Sequence, residues 1–182
     1  MGSLKPAGYL FVVLCAACLP SAAQTSAAPD NWRARTKVGQ KMPAFSVVDT
    51  AGRRFSIPEL NGTVVLVNFW ATWCGPCRAE IPRLEKEIWE KYKSGHFVVL
   101  GIAREQSKDE ISKFKDQQGI TYPIAPDPHR DVYKLFADAG IPRNYLVGAD
   151  GTILYQTVGY DRAEFDALKR IVEQELAKLQ NR

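Results

Sequence analysis

No block of like charge interrupts this chain of 182 residues: 24 lysines and arginines are scattered among 20 acids, for a net charge of +4. A modest, dispersed excess keeps a protein soluble and offers nucleic acid no continuous surface. No glycine-rich dinucleotide fingerprint is present, which removes the sequence grounds for a nicotinamide cofactor. No internal repeat is apparent, so the length suits one ordinary domain plus a leader. The apolar run Tyr9 to Leu19 is too short to span a bilayer comfortably, which argues against a permanent membrane anchor. Cysteine is scarce, with residues only at positions 15, 18, 74 and 77. A zinc site built on Cys74 and Cys77 needs two more ligands at similar spacing, and Cys15 and Cys18 lie in a segment expected to be removed. Neither a metal nor a cofactor is expected.

What is present begins with a leader. Lys5 precedes the apolar run, and Pro20 with Ser21-Ala22-Ala23 follows it, the three-part pattern of a secretory signal. Cleavage is expected after Ala23, which makes residues 1–23 a signal peptide and places the mature protein in the periplasm or on the outer face of the envelope. A lipid anchor at Cys18 is the alternative, because Ala16 and Ala17 supply the small residues before it, although Cys15 stands where leucine is normally wanted. Without the leader, Cys74 and Cys77 are the only cysteines in a compartment that favours disulfides. A lone pair there either oxidises other proteins or is kept reduced by a supply of electrons.

Residues 24–37, rich in Ala, Ser and Thr, read as a flexible linker, and residues 38–182 as the folded domain. Ala44 to Asp49 and Arg53 to Ile57 predict a hairpin turning at Ala51-Gly52, with Phe45, Val47 and Phe55 inward. The continuously apolar run Thr63 to Trp70 predicts a strand buried on both faces. A helical stripe (Ile81, Leu84, Ile88, Tyr92) runs from Cys74 to Gly95, with a bend expected at Pro82. A second buried strand spans Phe97 to Ile102. Ser107 and Glu110 then form a capping box for a helix to about Gln118. Further on come a short extended piece (Tyr122 to Ala125), a Pro126-Asp127-Pro128 loop and a short helix, Asp131 to Ala139, ended by Gly140. A second hairpin pairs Tyr145 to Val147 with Thr152 to Val158, and the last helix is capped by Asp161 and Glu164. Alternating strands and helices followed by a hairpin imply an α/β layer with a mixed sheet and helices on both faces.

The chemistry lies in Trp73-Cys74-Gly75-Pro76-Cys77, between that first buried strand and its helix. Two cysteines one helical turn apart on one face are close enough to bond reversibly. Cys74 would sit at the helix front, where unpaired N–H groups and the helix dipole favour its thiolate. Cys77, a turn further in, would attack the mixed disulfide that Cys74 forms. Pro76 fits a first turn that needs no donor from it. A structural disulfide is the bland alternative.

The stretch from Val65 to Pro82 (VLVNFWATWCGPCRAEIP), with Gly140-Ile141-Pro142 and the Asp150-Gly151 turn downstream, resembles the TlpA/ResA-like thioredoxins. The resemblance covers roughly Val38 to Leu179. It implies a thioredoxin fold with an N-terminal β-hairpin extension, and an exported enzyme that reduces disulfides in other exported proteins, frequently in cytochrome c maturation. It also implies that Pro142 is cis, faces the pair, and presents the Ile141 backbone to an extended substrate segment. Glu80 corresponds to a glutamate placed beneath the pair, where it would take the proton of Cys77; its bland reading is an acid favoured by the first turns of a helix. Asn68 stands where cytosolic thioredoxins carry a buried aspartate, which strengthens the role of Glu80. Trp73 would cover the disulfide on an apolar rim with Gly75 and Pro76, while Trp70 packs in the core. His96 and His129 are read as solvated surface residues.

Gly75-Pro76 is the dipeptide of the strongly reducing thioredoxins. Those proteins sit about 150 mV below the oxidant DsbA, a preference on the order of 7 kcal/mol. A reductase is therefore expected, with a membrane thiol donor as its electron source. The alternatives are a dithiol oxidase, a copper-binding module of related fold, and a thiol peroxidase. The cysteine spacing counts against copper. The peroxidase reading is weakened because the usual proline and threonine ahead of a peroxidatic cysteine are missing before Cys74.

Overall fold

The apolar run ending at Trp70 forms the middle strand of a five-stranded mixed sheet. The computed structural model describes residues 1–2, 32–93 and 96–180; the expected signal peptide from residue 3 onward, with Cys15 and Cys18, and the helix end expected at Gly95 lie outside them. The sheet comprises β3 (Val64–Trp70), β4 (Phe97–Arg104), β5 (Ile124–Asp127), β6 (Arg143–Val147) and β7 (Ile153–Val158), in the order β5-β4-β3-β6-β7. β3 runs parallel to β4 and antiparallel to β6. The expected N-terminal hairpin is present as β1 (Ser46–Val48) and β2 (Arg54–Ser56).

Every residue of β3 is buried, and the alternation of a strand sorts its side chains to two faces. Val64, Leu66 and Trp70 join Ile81, Leu84, Ile88, Phe165, Leu168 and Val172 beneath the helices α1 (Gly75–Arg83) and α5 (Arg162–Gln180). α3 (Lys108–Gln118), with the expected Ser107 capping box, adds Ile111 and Phe114 to this layer. Val65, Val67 and Phe69 pack on the other face against Phe45, Val47, Tyr145 and the short helix α4 (Tyr133–Phe136).

Three local readings are revised by tertiary contacts. The helix from Cys74 is interrupted: after Arg83 it widens into π-helical turns (Leu84–Trp89) before α2 (Glu90–Tyr92). Pro82 has no N–H for the turn before it, and wide turns at such points re-aim side chains. Here Glu85 is turned inward, where its carboxylate accepts the Thr121 N–H at 2.8 Å. The Asp131 to Ala139 helix shrinks to α4, because Ala137 bridges Ala34 and the Asp138 N–H donates to the Arg33 carbonyl. Asp127, read as loop, ends β5, and its carboxylate accepts the N–H groups of Val132 (3.3 Å) and Tyr133 (2.8 Å).

The last of the residues read as linker are docked on the domain. The Arg35 N–H donates to the Phe136 carbonyl at 2.8 Å, and the buried Thr36 hydroxyl meets Gln156 Oε1 at 3.2 Å. Packing therefore begins upstream of Val38, since buried backbone and hydroxyl groups need partners that the domain provides.

Candidate active site

Cys74 and Cys77 are joined by a disulfide at the front of α1. Cys74 caps the helix: its backbone is extended, and its sulfur accepts the Cys77 N–H at 3.2 Å. Cys74 is the more accessible of the two residues, 6% exposed against 0% for Cys77. Gly75 and Pro76 lie on the open surface of the first turn, and Trp73 stands out beside them at 60% exposure. The Arg104 guanidinium sits 5.8 Å from the Trp73 ring. Trp70 is fully buried and packs on Phe114, as a core residue should.

The approach to Cys74 is fixed from β3. Thr72 is gripped by Gln106, which accepts its N–H at 2.7 Å and donates to its hydroxyl at 2.6 Å. Gln106 escaped the sequence reading, because a glutamine ahead of a capping serine carries no signal until the fold brings it to Thr72.

Opposite the pair, the Ile141–Pro142 bond is cis, and the Ile141 carbonyl oxygen lies 3.8 Å from Cys74 Sγ. The loop is held by Arg143, 1% exposed, whose guanidinium donates to the carbonyls of Ala139, Gly140 and Trp32. Tyr133 adds a bond from its hydroxyl to the Gly140 carbonyl at 2.7 Å. Gly140 has φ +88°, and a Cβ there would stand 2.8 Å from Val158 and 3.2 Å from the Trp32 ring. Only glycine suits both the backbone angle and the space.

Glu80 lies one turn along α1 from Cys77, 2% exposed, against the face of the central strands β3 and β6. Asn68 and Asn144 pair across β3 and β6 and clamp it. Asn68 Nδ2 donates to one carboxylate oxygen at 3.0 Å, Asn144 Nδ2 to the other at 2.6 Å, and Asn68 Nδ2 also to Asn144 Oδ1 at 2.9 Å. Burial pushes the Glu80 carboxyl up to about 7, against the two amides, which favour its charged form. That value suits an acid that takes and returns a proton near neutrality. Asn144 was not singled out from the sequence; only the register of β6 against β3 reveals it.

His129 is exposed in the loop before α4, and His96 is exposed just before β4, at the end of the sheet away from the pair. Among the described residues no three His, Cys, Asp or Glu side chains gather as a metal site requires.

Residues 38–156 match the sequence profile of the AhpC/TSA family. The chain belongs to this family. Among AhpC/TSA relatives, the thiol-disulfide oxidoreductase ResA of Bacillus thuringiensis (strain Al Hakam) is 28% identical over 130 residues, covering 71% of this chain and 75% of that protein. A solution structure from Bacteroides thetaiotaomicron shares 35% identity with a TM-score of 0.77, over 80% of this chain and 93% of that one. The crystal structure of a thiol:disulfide interchange protein of the thioredoxin family from Chlorobium tepidum TLS shares 31% identity with a TM-score of 0.65, over 78% and 99%. Within AhpC/TSA the chain is thus a thiol-disulfide oxidoreductase of the TlpA/ResA-like thioredoxin group.

Proposed function

We propose that this oxidoreductase is exported and reduces disulfides in other exported proteins, with cytochrome c maturation as its setting. The observation that carries the reading is the stacking of three elements: Cys74 at a helix front with the exposed Trp73, Gly75 and Pro76 around it, a fully buried Cys77, and the clamped Glu80 a turn beneath. In the reduced enzyme the Cys74 thiolate attacks a substrate disulfide, forming a mixed disulfide and releasing one substrate thiolate. Cys77 gives its proton to Glu80, and its sulfur attacks Cys74 Sγ. The Cys74–Cys77 bond forms and the second substrate sulfur leaves as a thiolate, which a proton neutralises. The substrate gains two electrons, and a membrane thiol donor restores them. Trp73, Gly75 and Pro76 form the rim on which the substrate lies, with Ile141 and Pro142 across from it. Export is supported by the leader pattern, and no helix among the described residues is long and apolar enough to cross a membrane.

A Cys77→Ser variant expressed in its host should accumulate mixed disulfides through Cys74, identified by mass spectrometry after non-reducing electrophoresis. The absence of any trapped partner under all growth conditions would defeat the protein-reducing role. Equilibration with glutathione tests direction: a potential near that of DsbA, about 150 mV above thioredoxin, would make the chain an oxidase. Copper titration of the reduced protein before and after His129→Ala tests the binding-module reading, which predicts tight binding that depends on His129.

A further inference from the structure

Two large aromatic side chains stand exposed at the end of the sheet that carries the redox pair, and only one of them belongs to the Cys74–Cys77 motif. Trp73 is the first, and Trp32, 49% exposed, is the second. Trp32 is far away in sequence but is brought to the loop opposite the pair by specific contacts. Its carbonyl accepts from the buried Arg143 guanidinium, and its ring lies against Gly140, where a Cβ would come within 3.2 Å. The next residue, Arg33, has φ 55°, a turn few non-glycine residues adopt, and from there the chain pairs with Ala137 and Asp138. The tight turn and the Ala34–Ala137 bridge fix the backbone from which the indole projects, and the Arg33 guanidinium lies 5.4 Å from the ring centroid. The loop thus links the two: the Ile141 carbonyl lies 3.8 Å from the Cys74 sulfur, and Gly140, the next residue back, lies against the Trp32 ring.

We propose that Trp32 is a specificity-determining residue: it forms the far wall of the substrate groove and selects an extended peptide segment with a large apolar side chain two residues from the attacked cysteine. The inference rests on the disulfide-reducing reading above. An exposed aromatic surface continuous with a reactive site marks a place where a partner covers it. An extended segment pairing with the Ile141 backbone advances about 3.3 Å per residue, and side chains two apart share a face about 7 Å from one another. With the substrate cysteine bonded to Cys74, the side chain two positions toward Gly140 falls on Trp32. A polar side chain there leaves the indole wet and loses the apolar contact.

The test uses synthetic peptide disulfides that carry Phe or Ser two residues from the cysteine. With the intact chain, kcat/KM for the Phe peptide should exceed that for the Ser peptide by about tenfold, the scale of one buried apolar side chain. Trp32→Ala should collapse this ratio through KM, Trp32→Phe should restore most of it, and Val48→Ala, which removes exposed apolar surface on the hairpin, should leave it intact. In the mixed disulfide of the Cys77→Ser variant with the Phe peptide, nuclear Overhauser effects should connect the phenyl ring to the Trp32 indole. A mixed disulfide whose peptide contacts reach Trp73 and Ile141 but never Trp32, or a selectivity that survives Trp32→Ala, would overturn the role of Trp32 while leaving disulfide reduction standing. Failure of every peptide to join Cys74 would overturn the reducing function and this inference with it.

Discussion

At the scale of single residues, the centre of the molecule is a carboxyl group held where a carboxylate is costly. Glu80 ionises near 7 in the fold and near 4.5 in an unfolded chain, so the native state holds its proton more tightly. Its contribution to stability is therefore complete below about pH 4.5 and is lost as pH rises to about 7, a change of about 3 kcal/mol. Glu80→Gln removes this dependence. Urea titrations of the oxidised protein should show the wild type losing stability relative to the variant between pH 5 and pH 8, and parallel curves would contradict the burial assigned to Glu80. On the proposed mechanism the same variant should slow release of the mixed disulfide, because the side chain can no longer take the proton of Cys77. Glu80 was found because the resemblance to the TlpA/ResA-like thioredoxins points to a glutamate one helical turn beyond Cys77. Asn144, which holds its other oxygen, was not, since one asparagine in an apolar strand means nothing until its cross-strand partner is known.

At the scale of elements, strands and capped helices were legible because each carries its own periodicity and end signals. β3, the Ser107-capped helix and both hairpins formed where the pattern placed them. The failures fall where one segment's hydrogen bonds are taken by another far away. The residues after Phe136 have helical sequence, yet Ala137 and Asp138 pair with the chain at Arg33 and Ala34. No local window contains both partners. The loop from Ala139 to Pro142 is the element that couples this pairing to the disulfide, and Gly140 is its tightest point. Gly140→Ala should cost about 2 kcal/mol or more, because a Cβ meets Val158 at 2.8 Å with φ +88°. Thermal unfolding should show a lowered midpoint and exchange kinetics a slower attack. A variant as stable and as fast as the parent would mean that the loop tolerates displacement.

At the scale of the whole molecule, the domain is larger than its composition suggested. Alanine- and serine-rich sequence reads as a tether, but Arg35 and Thr36 are seated by bonds to Phe136 and Gln156, and Trp32 supplies a carbonyl to Arg143. Starting the chain at Val38 should destabilise it by about 2–4 kcal/mol, since buried donors on Arg143 and Gln156 lose their acceptors. Equal urea midpoints for the shortened and parent chains would show the docked segment to be energetically idle. Fold class and redox pair were readable because both are local in sequence; the true edge of the domain was not, because only long-range pairing defines it.

β3 is flanked by β4 and β6 and covered on both faces, so its amides should be the last in the molecule to trade hydrogen for deuterium. Cys74 rides four residues beyond the end of that strand. Electron traffic therefore occurs at the tip of the segment that opens least often. Repeated oxidation and reduction can proceed without the core ever loosening, and the protection pattern of β3 should read the same in both redox states.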